Sequence, residues 1–98
     1  MIDWAKYLFL DTETTGLNPH LPETRCTLIA WLDGAGSADY FVPSQALVSD
    51  RAELQELLSS RTLVCFNAHF DIAQLEKLGF LVEAWECSYL LSLFAWPG

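Results

Sequence analysis

Three apolar residues run into two acids one residue apart in the stretch Leu8–Leu17, which reads LFLDTETTGL. In an extended chain, residues two apart point to the same side, so Asp11 and Glu13 stand next to each other. Two close carboxylates repel, and burying either without a partner is costly. A divalent cation that takes hard oxygen ligands, Mg²⁺ or Mn²⁺, relieves both problems. The competing account is a strand that runs out into a solvated TETTG turn. A second candidate is NAHFD, where Asn67 closes an apolar run and Asp71 falls in the first turn of the next helix. That pattern also has a purely structural account, since Asn caps helices and an acid in the first turn suits the helix dipole. Taken together, the two stretches place Asp11, Glu13 and Asp71 at the ends of apolar segments expected to be adjacent central strands. Three converging carboxylates are what a two-metal hydrolase requires.

The elements that must position these acids follow from the hydrophobic pattern. Residues Tyr7 to Asp11 read as a buried strand, and TTGLNPHLPE, with Gly16, Asn18, Pro19 and Pro22, as a loop. CTLIAWLDG and ADYFVP are two further strands joined by the short DGAGSA link, which predicts a hairpin. By the same argument the first two strands are antiparallel neighbours. SDRAELQELLSS is a helix, with Asp50 as its cap, Glu53 as capping-box partner, and Leu54, Leu57 and Leu58 as its apolar stripe. TLVCFN is a fourth strand, nearly continuous in apolar residues and so central. HFDIAQLEKLG is a second helix, with Ile72, Leu75 and Leu78 on one face and Gly79 at its end. A short strand near Val82 to Glu86 and an apolar helix, CSYLLSLFAW, complete the order β-β-β-α-β-α-β-α. This predicts one α/β domain over residues 1–98, a mixed sheet with helices on its faces, in the order of the ribonuclease H-like fold. Trp31 and Trp85 are expected in the core, with Trp4 covering an edge.

The bulk composition narrows the class. The chain is 52% hydrophobic and 18% charged, enough to build a core and too apolar for disorder. Its formal charge of −8, from 5 basic and 13 acidic residues, does not look like that of a nucleic-acid binder that works by charge alone, and it neither supports nor excludes a nucleic-acid substrate. Two bound divalent cations would offset four of those charges. Cys26, Cys65 and Cys87 are far apart and make no Cys-x-x-Cys or Cys/His spacing, which suits buried free thiols in a reducing compartment. There is no basic leader, and no apolar run nears the ~18 residues of a membrane span. A cytoplasmic protein is the expectation.

DTETTGL followed by FNAHFDIAQLEKLGF resembles the first two motifs of the DEDD-type (DnaQ-like) 3′–5′ exonucleases, most of all the proofreading domain of family A, Pol I-like, DNA polymerases. WLDGAGSADYFVP resembles that family's hairpin, and WECSYLLSL its segment after the second motif, so the resemblance covers nearly the whole chain. It implies that Asp11, Glu13 and Asp71 are metal-binding catalytic carboxylates for Mg²⁺ or Mn²⁺. It implies also that Thr14, Leu17, Asn67 and Phe70 lie against the substrate, Leu17 as an apolar wedge at the 3′-terminal nucleotide. The implied chemistry is two-metal hydrolysis of 3′-terminal phosphodiester bonds in single-stranded DNA, with RNA sharing the same motifs. Glu86 stands where the family usually has Asp and is read as structural. The family's third motif, a Tyr or His with an Asp four or five residues on, has no counterpart in these 98 residues, and the family's last helices are likewise missing. The expectation is therefore an incomplete exonuclease domain, inactive or weak unless a downstream segment, a DNA polymerase or a complementing chain supplies the rest. The alternative is a metal- or nucleic-acid-binding module that docks on a polymerase without cleaving.

Overall fold

The computed structural model describes residues 3–16 and 23–87. After a short 3₁₀ turn at Trp4–Lys6 come β1 (Tyr7–Thr14), β2 (Cys26–Asp33), β3 (Ala38–Phe41), α1 (Val48–Ser60), β4 (Thr62–Cys65), α2 (Ala68–Lys77) and β5 (Trp85–Cys87). The strands form one sheet in the order β3-β2-β1-β4-β5. β1 pairs antiparallel with β2 and parallel with β4, β3 pairs antiparallel with β2, and β5 parallel with β4. This is the mixed α/β sheet of the ribonuclease H-like exonuclease fold. The expected third helix, and Leu17 with its loop, lie outside the described residues.

β1 is longer than the apolar run suggests. It continues through both acids to Thr14 because β2 starts early enough to give them partners: Asp11 faces Ala30, Glu13 faces Leu28 and Thr14 faces Cys26. The β-branched Thr12 and Thr14 suit the extended backbone. Asp11 and Glu13 are thus strand residues near its end and not residues of its exit turn.

Period-two alternation divides β1 between two environments. Leu8, Leu10 and Thr12 are buried, while Asp11 and Glu13 are exposed. The buried side carries the core, where Leu8, Leu10, Ile29, Trp31, Leu63 and Cys65 cluster with Leu54 and Leu58 of α1 and Ala68 and Leu75 of α2. Both described helices therefore pack on one face of the sheet, where helices on its faces were expected. Phe9, Asp11, Ala30, Leu32, Val64 and Phe66 line an open concavity on the other side. Trp31 is core as expected, but Trp85 is 43% exposed, because its three-residue strand is at the sheet edge among the described residues. Trp4 lies beside the rings of Tyr7 and Phe9.

Helix ends show where local chemistry differs from the pattern. α1 begins at Val48, and Asp50 is its third residue, not its cap; its carboxylate accepts a hydrogen bond from the Leu47 N–H at 2.8 Å. One orphan donor is satisfied in this way, as in half of a capping box. α2 ends as expected at Gly79, whose φ of +90° permits the closing bonds Gly79 N–H to Glu76 O and Phe80 N–H to Leu75 O. The following segment is tied back to α1. Arg51 donates to the Leu78 carbonyl and sits 4.7 Å from the centre of the Phe80 ring. The Gln55 amide exchanges two hydrogen bonds with the Leu81 backbone. These clamps fix the far end of α2, and so the direction from which its first turn meets the sheet.

Candidate active site

The site is built where β1 and β4 end and α2 begins. Asn67 leaves β4 and precedes the helix, so Asp71, in the first turn, is carried back toward β1. Its side chain is 3% exposed. Thr12, on the inward face of β1, donates from Oγ1 to Asp71 Oδ1 at 2.5 Å. The Cys65 thiol, at the end of β4, also hydrogen-bonds the Asp71 carboxylate. Strand end, neighbouring strand end and helix start therefore meet on one carboxylate.

Burial pushes the Asp71 carboxyl above the usual carboxylate range; the Thr12 hydrogen bond opposes this, and the negative charge of Asp11 adds to it. Burial likewise raises the Cys26 thiol, with a contribution from Asp71. A buried acid that is repelled by a second acid, and held ready by donors, is a group that a cation would stabilise in its charged form.

The other residues expected to act here are placed as follows. Asp11 is exposed on the opposite face of β1 from Thr12, yet close enough for its charge to act on Asp71. Glu13 is exposed on the same side as Asp11. Thr14 is half-buried and turns its hydroxyl onto the Gly16 carbonyl at 2.6 Å. Asn67 is exposed and stands at the N-cap position of α2, where its side chain makes no capping hydrogen bond. Phe70 is half-buried in the first turn of α2. His69 is exposed and meets the Trp85 ring edge-on at 5.6 Å. The donor chemistry of Asp11 and Asp71, hard carboxylate oxygens with mutually unfavourable charge, fits a divalent cation. Among the described residues no three His, Cys, Asp or Glu side chains form a group spaced to hold a metal ion.

Thr12 is the residue that motif-matching overlooks. Its signal was present: a hydroxyl residue falls at the inward position in register with Leu8 and Leu10. Thr12→Val keeps the shape but leaves the buried Asp71 oxygen without that donor. We expect a loss of about 1–3 kcal/mol in stability. A fall of about 10–100-fold in Mn²⁺ affinity should accompany it, the usual effect of removing a group that orients a ligand. Thermal melts and calorimetric titration read the two; unchanged values in both would reject the role.

The mixed five-stranded sheet with its helices is the α/β architecture of the ribonuclease H-like exonuclease class. The family profile described as 3′–5′ exonuclease, of the DNA polymerase A type, matches residues 2–95, and the chain belongs to that family. Among solved structures it is similar to Brucella melitensis NrnC, with 27% identity, a TM-score of 0.69, and coverage of 92% of this chain and 44% of that one. NrnC with bound Mg²⁺ gives 27% identity and a TM-score of 0.68 over 94% and 47% of the two chains. NrnC bound to pGG gives 25% identity and a TM-score of 0.66 over 93% and 46%. Pol1 from M. smegmatis, in complex with DNA primer-template and dNTP, shares the fold at 16% identity, with a TM-score of 0.66 over 93% of this chain and 16% of that one. The chain thus spans less than half the length of the nucleases it matches. No curated protein matches. No helix among the described residues is long and apolar enough to cross a membrane.

Proposed function

We propose that this chain carries the metal-binding half of a 3′–5′ exonuclease centre that removes nucleotides from the 3′ end of single-stranded DNA, or of short RNA, in a proofreading or end-trimming role. The observation that supports it best is Asp71, buried, latched by Thr12 and repelled by Asp11 in a chain of the exonuclease family. Asp11 and Asp71 would hold Mg²⁺ or Mn²⁺, with Glu13 next in line on β1. The metal, when bound, supplies an activated water and neutralises charge at the scissile phosphate. Thr12 and Cys65 hold the Asp71 carboxylate in place. Thr14, Leu17, Asn67 and Phe70 are the proposed contacts to the strand end. The fourth carboxylate, and the Tyr or His beside it, would come from a further segment, a polymerase or a complementing chain, in the cytoplasm.

Mn²⁺ titration and release of the 3′-terminal nucleotide from a labelled oligonucleotide test this, with Asp11→Ala plus Glu13→Ala beside the unaltered chain. Loss of Mn²⁺ binding in the double variant, and of whatever nucleotide release the unaltered chain shows, is expected. Equal Mn²⁺ binding in the two would sink the proposal. A second reading, a metal- or nucleic-acid-binding module that docks without cleaving, is favoured by one observation: the described residues form no three-ligand group. Mn²⁺ binding without nucleotide release would favour it.

A further inference from the structure

One buried side chain of α2 is left unpaired among the described residues. Gln74, one turn beyond Asp71, is 1% exposed, and both its amide atoms, Nε2 and Oε1, are buried without a hydrogen-bond partner. Buried polar groups in native proteins are nearly always paired, because an unpaired one has lost its hydration for nothing. Gln74 borders a cavity of about 520 Å³ between α2, the start of β2 and the segment after β3. That volume is in the range of small-molecule sites. The wall runs against the charge of the chain as a whole. Arg25 and Lys77, two of the chain's five basic residues, line it, and no acid does among the described residues. The Lys77 ammonium donates to the Thr24 carbonyl at 3.2 Å. Burial raises the Cys26 thiol, which keeps that part of the wall neutral. Pro43 and Leu78 supply apolar surface.

We propose that this cavity binds an adenine nucleotide, with Gln74 reading the base and Arg25 holding the phosphate. A carboxamide offers a donor and an acceptor side by side, and adenine offers the complementary pair. Its N7 accepts from Nε2, and its N6–H donates to Oε1. Guanine presents two acceptors at the same edge, N7 and O6, so Oε1 meets an acceptor and stays unpaired. The Gln74 amide holds no bond where it stands, so turning it to a ligand breaks none. The guanidinium fork of Arg25 suits a phosphate, which it meets with two parallel donors. Pro43 and Leu78 give the flat ring an apolar seat. The inference is independent of the exonuclease proposal, because none of these residues is a candidate metal ligand or strand-end contact.

The test is calorimetric titration of the full chain with AMP in a chelating buffer, so that no divalent metal takes part. Saturable binding of one AMP per chain is expected. GMP and inorganic phosphate should each bind more weakly by about 5–150-fold, the worth of a bidentate base contact. Gln74→Leu keeps the bulk and removes both amide atoms. AMP binding should fall to the level of GMP, while the melting temperature holds or rises, since an unpaired amide leaves the interior. Arg25→Gln, at an exposed position, should weaken AMP by a similar factor and leave adenosine binding unchanged. Asp11→Ala plus Glu13→Ala should bind AMP as the unaltered chain does. The AMP-to-GMP ratio and Arg25→Gln decide the matter even where Gln74→Leu does not fold. Absence of saturable AMP binding would overturn the inference and leave Gln74 to buried water. So would equal binding of AMP and GMP, phosphate binding as tightly as AMP, or AMP binding unchanged in Gln74→Leu or Arg25→Gln. Loss of AMP binding in the double acid variant would also overturn it, by assigning the nucleotide to the candidate active site. Mn²⁺ titration reads the exonuclease proposal separately, so the failure of either leaves the other standing.

Discussion

Asp71→Asn is expected to move two measurements in opposite directions. Mn²⁺ affinity falls by about 100-fold or more, since even residues that only orient a metal ligand cost about 10–100-fold when removed. Stability in the absence of metal rises at neutral pH. The reason is the burial that lifts the Asp71 carboxyl above its ordinary value of 3.8. The folded chain then holds this proton at pH values where the unfolded chain has released it. Between 3.8 and the higher native value, stability therefore declines as pH rises; above the native value the whole penalty is present. Asn has no proton to lose, and its amide oxygen can still accept from Thr12, so the variant's profile is flat across that window. Asp33 acts in the opposite sense and in a different window. The Ala35 N–H, and then Arg61, hold its carboxylate below the usual range, so its stabilisation is present above 3.8 and lost as the pH falls further. Chelator-treated melts from acid to neutral pH, with Mn²⁺ titrations at neutral pH, read both effects. A lower metal-free melting temperature in the variant at pH 7, or an unchanged Mn²⁺ affinity, would be incompatible with a buried and repelled ligand.

The second large effect is structural. A Cβ added at Gly34 would lie 1.6 Å from the Trp4 carbonyl oxygen and 3.1 Å from that of Tyr7. Both are backbone atoms, so no side-chain rotation relieves the clash. The 3₁₀ turn has to move, and with it the Gly34 N–H to Tyr7 O bond of 2.9 Å. Gly34→Ala should cost about 3 kcal/mol, the upper end of overpacking, and lower the melting temperature by on the order of 10–20 °C. Gly36 is the control. Its φ is +116° and nothing lies within 4 Å of an added Cβ, so Gly36→Ala carries backbone strain alone, about 1–2 kcal/mol. Thermal melts that rank the two equally, or reverse them, would reject the close approach as the reason for glycine at position 34.

These features differ in how far the chain discloses them in advance. Asp33-Gly34 marks the hairpin from sequence, because turn residues act locally; that Gly34 is also pressed against Trp4, some 30 positions earlier, is a tertiary fact with no local sign. The strand order was legible because short links dictate neighbours and near-continuous apolar runs mark central strands. The length of β1 was not, since its last residues are polar and are held by pairing with β2 rather than by burial. The start of α1 slipped for a related reason: Asp50 looks like a cap, yet serves equally well three residues in, accepting from the Leu47 N–H. At the site, Asp11, Glu13 and Asp71 stood out through their spacing and their family motifs. Thr12 did not, because a threonine in a strand is unremarkable until one knows which face it occupies.

Asp11 and Glu13 have one more consequence. They interrupt the side of the sheet that also shows Phe9, Leu32 and Phe66. Flat, apolar strand surfaces invite stacking of one copy on another, and charges set among the hydrophobes are the usual deterrent. Asp11 and Glu13 set two such charges on that side of β1. On the exonuclease proposal, a cation held by this pair would also remove that deterrent, and metal-loaded and metal-free chain would differ in solubility.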